Sequence, residues 1–442
     1  MISISRTVSA RTRLSRSFMQ TSRTFASESK AADKQETKPE STPLSLYCWG
    51  TDEKGSIPTK DILQEARSGG SGGLLNRGGT VIDHPVKIDL QDATGEENIS
   101  LSNIFCGPTG TALMTSDNRV YLSGSNKNGQ LGQGNKDDVT TPTLLTLPDS
   151  TPLHHDQIVD IALGENMSAI IDTNGDLYTM GYNGNTMKDG VGCLGHGYFP
   201  EEYLTTPTLV QSLVEDGCTT KQVLVGNSHM TVLTDEGEVL VTGSGGYGKC
   251  GNIDDVDQLF LEPVELLQGE SEITQIAGGK DYSLALTKDG IIFAWGRNHK
   301  GQCGTGSGLS VEMYAMEAMP VPLEGMLEGR KVVKVHGGQS HAAALTESNE
   351  LFVWGMGTYH MPELVTSLLD TKIVDFSCGH EYTIVLDDQG QLYSFGKGKT
   401  GVLGLASEKF AAEPMLVEGL LGKKVVKVSA GSKHVACLVE EE

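Results

Sequence analysis

The sequence lacks long apolar runs, and none approaches the roughly 18 residues that a membrane-spanning helix requires. Aromatic residues make up only 6% of the 442 residues, and three of them are tryptophan. The eight cysteines stand singly, without a Cys-x-x-Cys pair, which argues against a zinc cluster or a disulfide framework. These absences predict a chain without a membrane-spanning helix, a structural metal or disulfide bonds.

Basic residues are scarce outside the first thirty positions. The whole chain has 34 basic and 57 acidic residues, and residues 1–30 contain six of the bases and one acid, Glu28. The remaining 28 bases and 56 acids give the rest of the chain a net charge near −28. Binding to nucleic-acid backbones depends on basic side chains that displace counterions, so this charge disfavours direct nucleic-acid binding.

The first thirty residues are rich in Arg and Ser, poor in acids and amphipathic, which is typical of a mitochondrial transit peptide. Residues 23–27 also resemble a cleavage site of the matrix processing peptidase. The alternative is a disordered basic tail that binds nucleic acid or an acidic membrane surface. The spaced arginines favour the transit peptide. Residues 31–43 are polar and contain proline, so they are interpreted as a linker that precedes a folded body at 44–442.

That body repeats one layout. In residues 277–304, Asp289 and Gly290 separate two alternating apolar runs, which predicts a β-hairpin. The layout has an opening glycine, a Gly or Asn 11 residues later, and a closing glycine after six more residues. The opening glycines are Gly107, Gly164, Gly226, Gly279, Gly338 and Gly379. Gly and Asn tolerate the left-handed conformation that such turns need, so six hairpins are predicted.

A proline begins each unit, followed by a further short strand and then by the hairpin. These prolines are Pro85, Pro142, Pro207, Pro263, Pro320, Pro362 and Pro414. Proline is tolerated at the first residue of a strand or on an edge strand. Four short strands in a unit of about fifty residues are typical of the blades of a β-propeller.

The last unit stops at Glu442, eleven residues after Gly431, where its hairpin turn is expected. At the other end of the chain, residues 46–50 have the pattern of a returning strand without a hairpin partner. Pairing them with residues 436–439 completes a seventh blade and removes two exposed sheet edges. The sequence therefore predicts an all-β protein, a seven-bladed β-propeller closed by its N- and C-terminal strands.

Three features resemble the regulator of chromosome condensation repeat: hairpins that end in Trp-Gly, the Asn-x-x-Gly-Gln-Leu-Gly stretch at 126–132, and Gly-x-x-His before an Ala-Leu-Thr strand at 338–346. The resemblance covers residues 46–439. It implies a propeller similar to the mitochondrial guanine-nucleotide-exchange-factor-like proteins. Two units depart from the pattern: the unit ending at Gly355 lacks the second glycine pair, and the unit ending at Gly181 has about six extra residues.

Three histidines occupy the same position of the repeat, three residues after its opening glycine. Tyrosines occupy this position in two other units. One interpretation is that these polar aromatic residues hydrogen-bond between blades. The other follows from the resemblance, in which similar turns supply acidic and histidine contacts to a small GTPase. The partner-binding candidates are then His229, Asp281, His341, Glu381 and His434. Ser228 and Ser340 precede two of the histidines, so the acid–histidine pairing of the family is not reproduced.

Residues 243–248 and 396–401 match Gly-x-Gly-x-x-Gly, but a dinucleotide site also requires a following helix. Neither stretch precedes a convincing apolar helix, so no cofactor is expected. Catalytic triads, paired carboxylates and metal clusters do not stand out by their spacing, and the chain is not expected to be an enzyme in the chemical sense.

The function predicted from these features is protein binding in the mitochondrial matrix, with association with the inner membrane left open. The resemblance implies guanine-nucleotide exchange on a small or dynamin-like GTPase. The alternative is an assembly factor or scaffold for a respiratory complex or the mitochondrial ribosome, without exchange activity.

Deletion of residues 431–442 removes the predicted partner of the 46–49 strand. We expect the opened ring to unfold at a temperature lower by ~5 °C or more, since closure of a blade contributes several kcal/mol and the melting temperature of so long a chain shifts by roughly 1 °C per kcal/mol. Circular dichroism on heating measures this change. A melting temperature equal to that of the full chain would contradict closure through the termini.

Overall fold

A computed structural model describes residues 43–52, 54–58, 80–185, 190–197, 201–253, 255–307, 316–323, 325–406 and 408–441. The predicted transit peptide at 1–30 and the predicted linker, up to residue 42, lie outside the described residues. So does most of the glycine-rich insertion between Gly50 and Pro85.

The described residues are almost entirely β-strands and their connections. The strands are β1 (Leu44–Asp52), β2 (Thr80–Ile88), β3 (Leu101–Cys106), β4 (Gly110–Thr115), β5 (Val120–Gly124), β6 (Val139–Leu144), β7 (Ile158–Leu163), β8 (Met167–Asp172), β9 (Leu177–Tyr182), β10 (Gly184–Asn185), β11 (Gly190–Val191), β12 (Tyr203–Leu209), β13 (Thr220–Val225), β14 (His229–Thr234), β15 (Val239–Gly243), β16 (Gln258–Pro263), β17 (Ile273–Gly278), β18 (Tyr282–Thr287), β19 (Ile292–Arg297), β20 (Met316–Pro322), β21 (Val332–Gly337), β22 (His341–Thr346), β23 (Leu351–Gly355), β24 (Tyr359–Leu364), β25 (Ile373–Cys378), β26 (Tyr382–Asp387), β27 (Leu392–Lys397), β28 (Phe410–Leu416), β29 (Lys424–Ala430) and β30 (His434–Glu440). The two short α-helices are α1 (Leu90–Thr94) and α2 (Gln211–Asp216). The 3₁₀ turns are His155–Gln157, Gly246–Gly248, Glu265–Leu267, Gly325–Leu327, Thr366–Leu368 and Glu418–Leu420.

The strands form seven antiparallel four-stranded sheets, the blades of a β-propeller. Blade 1 contains β3–β6, blade 2 contains β7, β8, β9 and β12, blade 3 contains β13–β16, blade 4 contains β17–β20, blade 5 contains β21–β24, and blade 6 contains β25–β28. Blade 7 has the order β2-β1-β30-β29, so strands from the two ends of the chain share one sheet. Strands β10 and β11 form a separate two-stranded ribbon. The predicted fold class is confirmed.

The predicted hairpins form where the glycine intervals place them. In blade 4, β18 pairs with β19, and the turn glycine Gly290 has a φ of +89°. Asn118 takes the same place in blade 1 with a φ of +63°, as expected for a residue that tolerates this conformation. Both faces of the hairpin strands are buried, because each blade stacks on two neighbours; all six residues of β18 are buried.

Each proline-containing strand belongs to the blade before the unit that it was predicted to begin. Pro142 is in β6, which pairs with β5 of blade 1 and not with β7 of the unit that it was predicted to begin. Each proline strand is the outermost strand of its sheet. An edge strand needs no donor on its outer side, so proline is tolerated there. The repeat in sequence is therefore offset by one strand from the blade in space.

Blade 7 closes the ring as predicted. In its central pair Tyr47 is opposite Cys437 and Trp49 is opposite Val435. The N-terminal segment supplies two strands of this sheet, β1 and β2, instead of the one predicted. Strand β2 contains Pro85 and forms the outer edge.

Loops between the third and fourth strands seal the seams between blades. We call these connections seam loops: each packs on the third strand of the next blade and inserts one apolar side chain. The inserted residues are Ile57, Leu131, Leu194, Cys250, Cys303 and Leu403, which are at most 2% exposed. At three seams a tryptophan Nε1 donates to a seam-loop carbonyl: Trp295 to Lys249 (3.1 Å), Trp354 to Gln302 (3.0 Å) and Trp49 to Val402 (2.8 Å).

Trp49→Ala and Trp295→Ala compare the closing seam with an internal one. Both indoles are fully buried and make the same type of hydrogen bond. We expect each substitution to destabilise the protein by about 3–5 kcal/mol, measured from guanidinium unfolding curves. A much smaller effect for Trp49→Ala would contradict a closing blade that packs as tightly as the others.

Candidate functional site

One mouth of the central channel is built from the turns that follow the seven inner strands. We call these turns, residues 107–109, 164–166, 226–228, 279–281, 338–340, 379–381 and 431–433, the glycine rim. Each begins with a glycine. The cavity at this mouth has a volume of about 270 Å³ and is lined by inner-strand ends and rim residues from all seven blades.

Hydrogen bonds between backbone groups join neighbouring rim turns. The amide of Asn227 donates to the carbonyl of Lys280 (2.8 Å), and the amide of Lys280 donates to the carbonyl of Gln339 (3.3 Å). The amide of Gln339 in turn donates to the carbonyl of Gly379 (3.0 Å). A side chain on Gly279 has no room, because its Cβ would lie 1.9 Å from the carbonyl oxygen of Gly338. The rim is therefore a close-packed support for the side chains that it carries.

The three candidate histidines are buried between blades. His229 and His341 are 0% exposed, and His434 is 1% exposed. Their Nε2 atoms share hydrogen bonds with hydroxyls of other blades: His229 with Ser283 (3.2 Å), His341 with Thr383 (3.1 Å) and His434 with Thr111 (2.8 Å). Burial lowers the pKa of His341 and of His434 to about 4. The interpretation that these residues hydrogen-bond between blades is confirmed.

The tyrosines at the same position of the repeat make the equivalent contact through their hydroxyls. Tyr282 donates to the carbonyl of Gly338 (3.0 Å), and Tyr382 donates to the carbonyl of Gly431 (2.7 Å). Burial raises the pKa of both phenols well above the usual value. Each hydroxyl therefore stays protonated and remains a donor to the rim of the next blade.

The two candidate acids belong to the glycine rim, are largely buried and are paired with bases. Asp281 contacts the guanidinium of Arg297 at 3.4 Å. Glu381 lies between Lys300 and Lys397, with an N–O distance of 3.1 Å to each. Burial alone would raise the pKa of Glu381, but hydrogen bonds from the two lysines outweigh it and lower the pKa. Glu381 is therefore held ionised. The role of all five candidates in partner binding stays a prediction.

The basic partners of these acids were missed in the sequence, although their positions carry a signal. Arg297 and Lys397 each follow the closing glycine of a hairpin and stand sixteen residues after Asp281 and Glu381. The backbone brings them together, because the amides of Arg297 and Lys397 donate to the carbonyls of these acids, at 2.8 Å in both cases. The two blades therefore present the same acid–base pair on one rim.

The two Gly-x-Gly-x-x-Gly stretches belong to seam loops. A Cβ on Gly248 would lie 2.6 Å from the Cα of Ala318, and one on Gly401 would lie 2.9 Å from the carbonyl of Ile82. The glycines thus serve packing against the next blade. Among the described residues, no group of His, Cys, Asp and Glu is arranged to hold a metal ion. In the same part of the chain, no helix has the length and apolar character needed to cross a membrane.

A family model described as the RCC1-like domain matches residues 45–437. The chain belongs to the RCC1-like domain family. Among its relatives is the mitochondrial RCC1 domain-containing protein RUG3 of Arabidopsis thaliana, which is 27% identical over 90% of this chain and 88% of that protein. The yeast protein Prp20p has a similar structure, with a TM-score of 0.73 over 91% of this chain and 92% of that one.

Prp20p is 21% identical to the chain, so the likeness shows the fold. The human E3 ubiquitin-protein ligase HERC2 is 32% identical over 64% of the chain. The match covers 6% of the length of HERC2, which is a far longer protein.

Replacement of His341, which directly follows the glycine rim of blade 5, tests the burial of its side chain through the pH dependence of stability. The pKa of His341 is about 4 in the folded protein, against about 6.5 in an unfolded chain. The unfolded state therefore binds more protons between these values, and stability falls as the pH is lowered from about 6.5 towards 4. We expect His341→Asn to reduce the loss of unfolding free energy between about pH 6.5 and 4.5 by ~2 kcal/mol.

Urea unfolding curves at several pH values measure this loss. His84→Asn is the control, since the side chain of His84 is 63% exposed. An equal pH dependence in wild type and His341→Asn would contradict a neutral, buried histidine at this seam.

Proposed function

We propose that the chain is a mitochondrial protein-binding propeller that promotes nucleotide exchange on a GTPase of the matrix. The observation that carries the proposal is the pair of acids ion-paired on a close-packed rim, Asp281 beside Arg297 and Glu381 between Lys300 and Lys397. Membership of the RCC1-like family supports the choice of partner class. Similarity to the mitochondrial protein RUG3 over most of both chains supports the location, as does the transit-like start.

Exchange of a bound nucleotide requires no covalent chemistry from the propeller. It requires that the propeller bind the nucleotide-free GTPase more tightly than the loaded form, because a ligand shifts an equilibrium only through differential affinity. A fixed carboxylate can accept a basic side chain of the partner in place of its own lysine. The close-packed rim supplies the rigid support, since neighbouring turns are joined backbone to backbone.

The second candidate is a scaffold or assembly factor for a respiratory complex or the mitochondrial ribosome. Burial of His229, His341 and His434 favours it, because a partner cannot reach these side chains without opening a seam between blades. In that case the acids of the rim bind a partner without changing its nucleotide. Binding and exchange therefore have to be measured separately.

The decisive experiment follows release of a fluorescent GDP analogue from each purified matrix GTPase, with and without the propeller. We expect faster release from one GTPase and a roughly tenfold smaller acceleration with Glu381→Gln, which removes a charge that contacts two lysines. Glu347→Gln is the control: Glu347 follows the far end of β22 from the rim, and its ion pair with Lys331 is exposed.

If none of the GTPases releases the nucleotide faster, the exchange function is contradicted. Capture of respiratory or ribosomal subunits that depends on Glu381, without any exchange, would support the scaffold instead. Equal acceleration by Glu381→Gln and wild type would remove the rim acids from the proposal.

A further inference from the structure

The seam between blades 5 and 6 differs from the other six because its seam loop is missing. Three residues, Met356–Thr358, join β23 to β24. Met356 and Gly357 have φ values of +58° and +70°, and the amide of Thr358 donates to the carbonyl of Gly355 at 3.0 Å. Two successive residues with positive φ are typical of a tight hairpin turn. These three residues complete the hairpin, so this connection sends no loop into the seam.

A second feature lies on the opposite wall of the same seam. The position taken by Trp295, Trp354 and Trp49 in three other blades is Phe395 in blade 6. The tryptophans each donate their indole N–H to a seam-loop carbonyl, and phenylalanine has no such donor. Three filled seams also lack this tryptophan and have Ser123, Met180 or Thr242 at the same position. The missing loop therefore distinguishes the 5–6 seam, and Phe395 contributes an apolar wall to it.

The result is a cleft with a volume of about 130 Å³ between the outer parts of the two blades. We call it the 5–6 cleft. Its walls include Met356, Tyr359, Phe395, Lys397, Phe410 and Pro414. Phe410 is 60% exposed and Tyr359 is 39% exposed, although both are large apolar rings at the same opening. Exposed aromatic side chains beside a cleft are typical anchors for a binding partner.

We propose that the 5–6 cleft binds a glycine-containing turn of a partner protein, which inserts one apolar side chain as a seam loop does. The six filled seams provide the template, since each of their loops buries at least one apolar side chain to an exposed fraction of 2% or less. The loop glycines are required because the turn lies close to the neighbouring blade. A Cβ on Gly304, for example, would lie 2.8 Å from the indole of Trp354.

A second copy of this chain does not fit as the occupant. Within the residues that the structure describes, the six seam loops are seated in their seams with their apolar residues buried, so a copy cannot donate these loops without opening its own ring. We therefore assign the turn to a different protein. This assignment rests on the protein-binding role proposed above, but not on the nucleotide exchange.

The charges beside the cleft select the flanking residues of that turn. Glu363 and Glu413 line it and are both exposed, and Glu363 has no ion pair among the residues that the structure describes. A carboxylate oxygen of Glu413 accepts a hydrogen bond from the Ser367 hydroxyl (2.7 Å). The single base in the cleft wall, Lys397, is held by Glu381. We infer that the occupying turn carries a lysine or arginine a few residues from its apolar residue, as the seam loop of blade 1 carries Lys127 four positions before Leu131.

The cleft is tested with a cyclised, fluorescent peptide of residues 125–133, the seam loop of blade 1, and with full-length protein. Cyclisation reduces the ordering cost of a short peptide. We expect saturable binding by fluorescence anisotropy and a dissociation constant at least tenfold higher for Phe410→Asp. A Leu131→Asp version of the peptide should lose binding to the same extent.

Met316→Asp is the matched control protein. Met316 begins the outer strand of blade 4 as Phe410 begins that of blade 6, four residues before the strand proline, and it is 39% exposed at a seam that is filled. Its dissociation constant should stay within twofold of wild type. A variant in which residues 126–132 replace Met356–Thr358 should fold and lose peptide binding, because its own loop fills the cleft.

Three results would overturn the assignment. They are failure of wild type to bind the peptide, equal weakening by Phe410→Asp and Met316→Asp, and binding that appears only after residues 1–42 are removed. The last result would assign the cleft to the chain's own N-terminal segment. Peptide binding without any nucleotide exchange on a GTPase would support the assignment of the cleft and contradict only the exchange function.

Discussion

The ring depends on the close approach of bare backbone at its axis. Neighbouring opening turns meet through glycine, and a Cβ on Gly279, Gly338 or Gly431 would lie within 2.4 Å of the carbonyl oxygen of the next turn. At this distance no side chain fits, so the spacing of the blades at the centre is set by the width of the main chain itself. The spacing of these blades at the mouth follows from this contact.

Around that centre, polar side chains replace the hydrogen bonds that a continuous sheet would supply between blades. The side-chain amide of Gln222 both donates to and accepts from the backbone of Ile276 in the next blade, at 2.8 and 2.9 Å. Gln275 does the same with Val335, at 2.9 and 3.0 Å. Buried polar groups that are satisfied in this way fix one arrangement of neighbours, because any other would leave them unpaired. The buried histidines of the rim act within the same scheme.

Local features of the fold could be predicted from the sequence because they depend on short intervals. The turn at Gly290 and the closure by Trp49 follow from residue types at fixed spacing. The blade boundary could not be predicted in this way, because Pro142 begins a unit in sequence while its strand pairs with the hairpin before it. Pairing across a connection is decided by which edge is free in three dimensions, and the spacing of prolines carries no information about that choice.

The candidate site shows the same division. The repeat position shared by His341 and Tyr382 was visible in the sequence, but the depth of these side chains depends on the neighbouring blade and was not. The partner of Glu381 on its own blade, Lys397, lies at a fixed interval and was detectable. Its other partner, Lys300, comes from the seam loop of blade 4 and reaches past blade 5, where no seam loop intervenes. A contact between non-adjacent repeats leaves no regular signal in a single chain.

The shared sheet of blade 7 also sets an order of events during synthesis. Strands β1 and β2 are complete at Ile88, whereas β29 begins at Lys424. The edge of β1 that pairs with β30 therefore stays unpaired until nearly the whole polypeptide has been synthesised. Unpaired edges attract other chains, and pairing between distant segments is slow. A newborn molecule is therefore most prone to aggregation before its last strands arrive.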